Sequence, residues 1–130
     1  MKVQNLTGAA TLGVVPGKVN VLVFWATWSM PDIYLLRKLQ PIWKKLEDRG
    51  LVITAVSVDD ESKGVLDVAR AQGATYAVGW DENRETALRY HPTTDPYLFI
   101  IDRKGVIRFR HEGFHDGEDL EIEREIESLL

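Results

Sequence analysis

The sequence predicts a single α/β domain built on a mixed central β-sheet with helices on both faces. Three observations predict it. Residues 19–25 and 51–58 are apolar on both faces of an extended chain, with Asn20 the exception in the first run; strands of that kind are covered on both sides. A helical stripe lies between these runs, so they are joined as parallel neighbours through a crossover. The last third holds Tyr97 to Ile101, the turn Asp102-Arg103-Lys104-Gly105 and Val106 to His111, a hairpin that adds antiparallel strands. A chain of 130 residues fits one domain with a real core.

The elements follow in order. Residues 1–18 are the least defined: Val3 to Leu6 reads as a short edge strand, residues 9–15 are apolar without a period, and Pro16-Gly17 marks a turn. A helix is expected from Met30 to Arg49, with Ile33, Leu36, Leu39, Trp43 and Leu46 as its buried stripe and Gly50 as its stop. Pro41 falls inside it and predicts a kink between Arg37 and Pro41. Ser62 to Gln72 is a helix with Val65, Leu66 and Ala69 inward. Tyr76 to Val78 is a short strand, and Asn83 to Tyr90 a short helix behind an Asp81 cap. Gly117 to Leu130 is a terminal helix with Leu120, Ile122, Ile126, Leu129 and Leu130 as its apolar positions.

Composition narrows function. The 16 basic and 20 acidic residues give a net charge of −4, which argues against a nucleic-acid module, since phosphate binding needs a concentrated basic face. There are no cysteines, so disulfides, thiolate nucleophiles and cysteine-ligated metal centres are excluded. No apolar run is long enough to span a bilayer, and no apolar segment of the signal-peptide type follows Met1. The compartment is left open: cytoplasmic if Met1 is the native start, extracytoplasmic if the chain is a trimmed mature domain.

The junction Trp28-Ser29-Met30-Pro31-Asp32 joins the first buried strand to the long helix. Its plain reading is a helix start. The Ser29 hydroxyl would accept from the Asp32 amide, and the Asp32 carboxylate would reach back to the Ser29 amide, as in a capping box. Pro31 loses no needed donor in a first turn, and Asp32 suits the positive end of the helix dipole. His91, His111 and His115 are the titratable candidates. His91 is placed to approach the junction, His111 reads as a surface residue on the last strand, and His115 with Asp116 as part of a turn. A Ser29–His–Asp hydrolase triad would have to use His91, and no Gly-x-Ser-x-Gly pattern supports it.

Three patterns carry a family resemblance: Val-Leu-Val-Phe-Trp-Ala-Thr-Trp at 21–28, Val56-Ser57-Val58-Asp59, and Asp95-Pro96-Tyr97-Leu98-Phe99-Ile100-Ile101-Asp102-Arg103-Lys104-Gly105-Val106-Ile107. Over residues 19–130 the chain resembles the thioredoxin-like fold, and more narrowly the TlpA/ResA-type thiol–disulfide oxidoreductases and their peroxiredoxin-like cousins. The resemblance implies that Pro96 is a cis-proline facing the Trp28 to Asp32 turn, with Asp95 beside it. It implies an active-site Trp-Cys-x-x-Cys, and here the chain departs: Ser29 and Asp32 occupy the two cysteine positions. Pro41 also lies one turn later than the family's helix proline, and Asp95 replaces a small or β-branched apolar residue.

The functional expectation is therefore a redox-inactive thioredoxin-like domain with no catalytic residue, no cofactor and no metal site. It would bind a peptide or partner protein through a groove of Trp28, Met30, Pro31, Asp95, Pro96 and Tyr97, a shape suited to an extended segment. One alternative is an oxidoreductase family member inactivated naturally or by Cys→Ser substitution. Another is a non-redox enzyme using Asp32, Asp95 and His91, in which neighbouring carboxylates raise one pKa.

Overall fold

The computed structural model describes residues 3–8, 12–90 and 96–130. Among the described residues six strands and four helices follow in the order β1 (Val3–Asn5), β2 (Val19–Trp25), α1 (Met30–Leu46), β3 (Leu51–Ser57), α2 (Val65–Ala71), β4 (Ala77–Asp81), α3 (Glu85–Tyr90), β5 (Tyr97–Ile101), β6 (Ile107–Glu112) and α4 (Glu118–Leu129). They form one sheet of order β1-β4-β3-β2-β5-β6. Strands β2, β3 and β4 run parallel; β1, β5 and β6 pair antiparallel with their neighbours.

The two runs that read as doubly covered strands are the sheet's centre. Every residue of β2 is buried, and β3 is buried except at Val52. Their side chains alternate between two cores, as period-two geometry requires. Val21, Val23 and Trp25 pack with Leu35, Leu36, Leu39, Ile42 and Leu46 of α1, Val65 and Ala69 of α2, and Ile122 and Ile126 of α4. Leu22 and Phe24 face the other way, onto Phe99, Tyr97 and Ala87 of α3. Helices thus cover both faces. At Gly79 of β4 a Cβ would lie 2.4 Å from Val3 Cγ1, so the bare backbone lets β1 dock as the edge strand.

Several boundaries and faces differ from expectation. The buried stripe of α1 is Asp32, Leu35, Leu36, Leu39, Ile42 and Leu46; Ile33 and Trp43 only flank it. The helix passes Pro41 as one element and tightens into a 3₁₀ turn at Glu47–Arg49 before Gly50 at φ 106°. Helix α2 starts at Val65, not Ser62, because Gly64 takes φ 80° as its N-cap. Strand β4 is longer than expected and ends at Asp81. The Asp81 carboxylate caps α3 by accepting the Thr86 and Ala87 amides at 2.9 and 2.8 Å. In α4, Leu120 is 60% exposed and only Ile122 and Ile126 are fully buried.

At the start of β2, the hairpin residue Arg103 gathers three chain segments. Its guanidinium donates to the carbonyls of Gly17 at 3.0 Å, Arg49 at 3.1 Å and Leu130 at 3.4 Å.

Candidate functional site

In sheets of this type the crevice beyond the carboxyl ends of parallel strands is the natural binding position. Here β2 and β3 end side by side at Trp25 and Ser57, and the Val58 amide donates to the Trp25 carbonyl at 2.8 Å. The chain then turns through Ala26, Thr27, Trp28 and Ser29 into α1. Strand β5 runs antiparallel to β2 with Tyr97 opposite Phe24, so its first residues stand beside that turn. Pro96 sits there, buried, its carbonyl accepting the Gly113 amide at 2.8 Å.

Two carboxylates hold the turn from opposite sides. Asp32, in the first turn of α1, is fully buried. Its Oδ2 accepts the Ala26 amide at 2.7 Å, and its Oδ1 accepts the Ser29 hydroxyl at 2.7 Å. Asp59, just past β3, accepts the next amide: Thr27 N–H lies 3.2 and 3.1 Å from its two oxygens, and Thr27 Oγ1–H donates at 2.7 Å. Ser57 Oγ–H also donates to Asp59 Oδ2, and Trp80 Nε1–H donates to the Asp59 carbonyl at 2.8 Å. A carboxylate drawn out of water is tolerated only where donors replace the water it loses, and both meet that condition.

The expected capping box is not formed. Ser29 is the N-cap residue of α1, but its hydroxyl bonds no backbone amide of the helix. It donates to the Asp32 carboxylate, and that carboxylate turns back to Ala26 instead of the Ser29 amide. The geometry links positions 29 and 32 side chain to side chain and fastens both to the end of β2.

This arrangement leaves the rim of the turn apolar and open. Trp28 is 70% and Met30 72% exposed, and Pro31 is exposed in the first turn of α1. Tyr97 differs: it is 7% exposed, its ring stacks on Phe99 at 4.9 Å, and its hydroxyl donates to Glu112 at 3.2 Å. Burial and the Glu112 carboxylate hold its phenol above the ordinary range. It lines a cavity of about 430 Å³ with Arg89, Tyr90, Phe99, Ile107 and Arg110. Asp95 and His91 lie outside the described residues, and with them the expected Asp32–Asp95 pair and the Asp95–Pro96 cis peptide. Among the described residues no group of three or more His, Asp or Glu could hold a metal ion, and no helix is long and apolar enough to cross a membrane.

Sequence reasoning missed two features. Asp59 stood in a quoted pattern without a role; only its contact with Thr27, 32 residues away, reveals one. His111 read as a surface residue, whereas it is 9% exposed. A bulge sets which layer it faces. Ile101 pairs with Ile107 while Ile100 pairs with Phe109, so Arg108 is extra and the alternation changes face. Ile107 joins the α3 side, and Phe109 the α1–α4 side.

The sequence profile of the AhpC/TSA family matches residues 2–110. The thiol-disulfide oxidoreductase ResA of Bacillus thuringiensis subsp. konkukian (strain 97-27) is 26% identical over 105 residues, covering 81% of this chain and 61% of ResA. The thiol:disulfide interchange protein DsbE of Pseudomonas fluorescens biotype C is 32% identical over 114 residues, covering 87% of this chain and 60% of DsbE. The chain therefore spans about three fifths of the length of these relatives. A crystal structure from Chlorobium tepidum, provisionally named thiol:disulfide interchange protein DsbE, superposes with a TM-score of 0.85 at 26% identity, covering 98% of this chain and 92% of that one. The fold is thioredoxin-like, and the chain belongs to the AhpC/TSA family.

Proposed function

We propose that this AhpC/TSA family chain, having no cysteine, is a redox-inactive thioredoxin-like domain. It binds an extended peptide or a partner protein at the turn between β2 and α1. The observation that carries the reading is the exposure of Trp28 and Met30, 70% and 72%, on a turn clamped by Asp32 and Asp59. Large apolar side chains presented on a rigid frame are anchors for a partner. Thiol–disulfide exchange requires a thiolate, which this composition cannot supply. Within the proposed surface Trp28, Met30 and Pro31 make direct contact, with Pro96 beside the turn, buried Tyr97 behind it, and Asp95 as a further contact.

The test is a titration of isotopically labelled protein with a library of extended apolar peptides, read at the Trp28 indole and the Met30 methyl. Saturable binding that Trp28→Ala weakens by about tenfold or more supports the site. Binding unchanged in both Trp28→Ala and Asp95→Ala moves the interaction elsewhere.

A second reading has support from one contact. The Ser29 hydroxyl and the Asp32 carboxylate meet at 2.7 Å, across the two positions that hold cysteines in the family pattern. On this reading the chain is an oxidoreductase frame whose thiols were replaced. A Ser29→Cys, Asp32→Cys double variant should then form a disulfide and reduce insulin in the presence of dithiothreitol. Failure of that variant to oxidise, with its fold intact, would remove the reading.

A further inference from the structure

The β6 edge of the sheet carries a second carboxylate arrangement, with a different donor. His111, near the end of β6, is buried between two glutamates of α4. Its Nδ1 lies 2.6 Å from Glu118 Oε2 and its Nε2 lies 2.6 Å from Glu125 Oε1. An ionised carboxylate only accepts, and a neutral imidazole has one N–H and one lone pair. With both glutamates ionised, two contacts of this length put hydrogen on both ring nitrogens. Among the described residues neither glutamate pairs with a lysine or arginine, so the imidazolium is the charge that offsets them.

Lys45 of α1 donates to Glu123 at 2.6 Å. Lys38 of α1 stands over the Tyr34 ring at 5.3 Å, near Asp116 and Asp119. From β5, the residue opposite His111 is Leu98, which is apolar. On β6 itself, Arg110 and Glu112 are exposed. In the connection 113–117, Asp116 accepts the Tyr34 hydroxyl at 3.1 Å, and exposed His115 donates its backbone N–H to Glu118 Oε1 at 3.0 Å.

That connection touches Pro96 of the site and Tyr34 of α1. The Gly113 amide donates to the Pro96 carbonyl at 2.8 Å, and Phe114 packs against Tyr34 of α1 with ring centres 5.7 Å apart. Glu118 is the first residue of α4, one place after Gly117 at φ 92°, so it withdraws with one frayed turn. Glu125 is two turns further in and is held by its helix.

We infer that His111, held as an imidazolium between Glu118 and Glu125, is a proton-dependent fastener: it keeps the connection 113–117 closed onto Pro96 and α1, and releases it when the proton leaves. On deprotonation one ring lone pair faces a carboxylate oxygen across the former hydrogen bond. That repulsion falls on a poorly solvated group, and the first turn of α4 gives way because Glu118 is the movable partner. Burial pulls the His111 pKa down, but the hydrogen bonds and charges of Glu125 and Glu118 outweigh it and leave it raised, which places release above the ordinary imidazole range. The inference is independent of what the Trp28 surface binds.

The test is amide hydrogen exchange across His111's titration, with the ring nitrogens followed by NMR in the same samples. After correction for base catalysis, exchange at Gly113 and Leu120 should rise about tenfold for each unit by which closure raises the His111 pKa. Val58, at the clamped turn, should show no such step. His111→Gln should remove the step. Glu118→Gln, which keeps the imidazole, should move it to lower pH. A wild-type protein with no step, a step that survives His111→Gln, a midpoint unmoved by Glu118→Gln, or a neutral ring at pH 6 would each overturn the inference. If His111→Gln does not fold, Glu118→Gln decides alone.

Discussion

The β2–α1 turn and the β6–α4 corner are both loops held by two carboxylates, yet they differ in what donates. At the turn the donors are the Ala26 and Thr27 amides and the hydroxyls of Ser29, Thr27 and Ser57. None of these gains or loses charge between neutral and mildly alkaline pH. At the corner the donors are the two ring nitrogens of His111, and one of them is lost when the ring titrates. The same acceptor chemistry therefore builds a permanent frame in one place and a conditional one in the other.

The comparison can be broken first at Asp32. Asp32→Ala leaves the Ala26 amide and the Ser29 hydroxyl without their acceptor at a fully buried position. A loss of about 3 kcal/mol is expected in chemical denaturation. If the loss is under about 1 kcal/mol, the turn is not held as described. Asp59→Ala removes the acceptor of the Thr27 amide and of two hydroxyls, but at a half-buried position where water can enter. About 2 kcal/mol is expected, with exchange at the Thr27 amide accelerated.

A pH series sharpens the contrast. His111 has its pKa raised above its ordinary 6.5. Its contribution to stability is therefore fully present below about pH 6.5 and is lost as pH rises through the folded-state value. The denaturation midpoint should fall over that interval in the wild type and stay level in His111→Gln. The smallest effect is expected at Trp28. Because the side chain is 70% exposed, Trp28→Ala should change stability by no more than about 0.5 kcal/mol, while weakening peptide binding. A large stability loss would mean that Trp28 serves the fold.

The sheet was legible in the sequence because its central strands are uninterrupted apolar runs, and β2 was read to the residue. The phase of α1 was not. Leu35-Leu36 and Ile42-Trp43 are adjacent apolar pairs, and spacing alone does not say which member faces inward; Asp32, buried through its hydrogen bonds, fixes the phase. The strand-to-helix junction was legible, but the clamp that holds it was half hidden. Asp32 could be seen to act locally, whereas Asp59 acts on a residue 32 places away. His111 was misread because Arg108, Arg110 and Glu112 make β6 look like a solvated edge, although His111 shares the parity of Ile107 and Phe109.

The guanidinium of Arg103 carries a practical consequence. It ties the Leu130 carbonyl to those of Gly17 and Arg49, at the start of β2. The Trp28 turn lies past the other end of that seven-residue strand, about 20 Å away at roughly 3.3 Å per residue. A dye, a surface tether or an affinity handle joined at Leu130 would therefore leave from the pole opposite the proposed docking face. Immobilised by that end, the domain would present Trp28 and Met30 outward, in the orientation a partner screen needs.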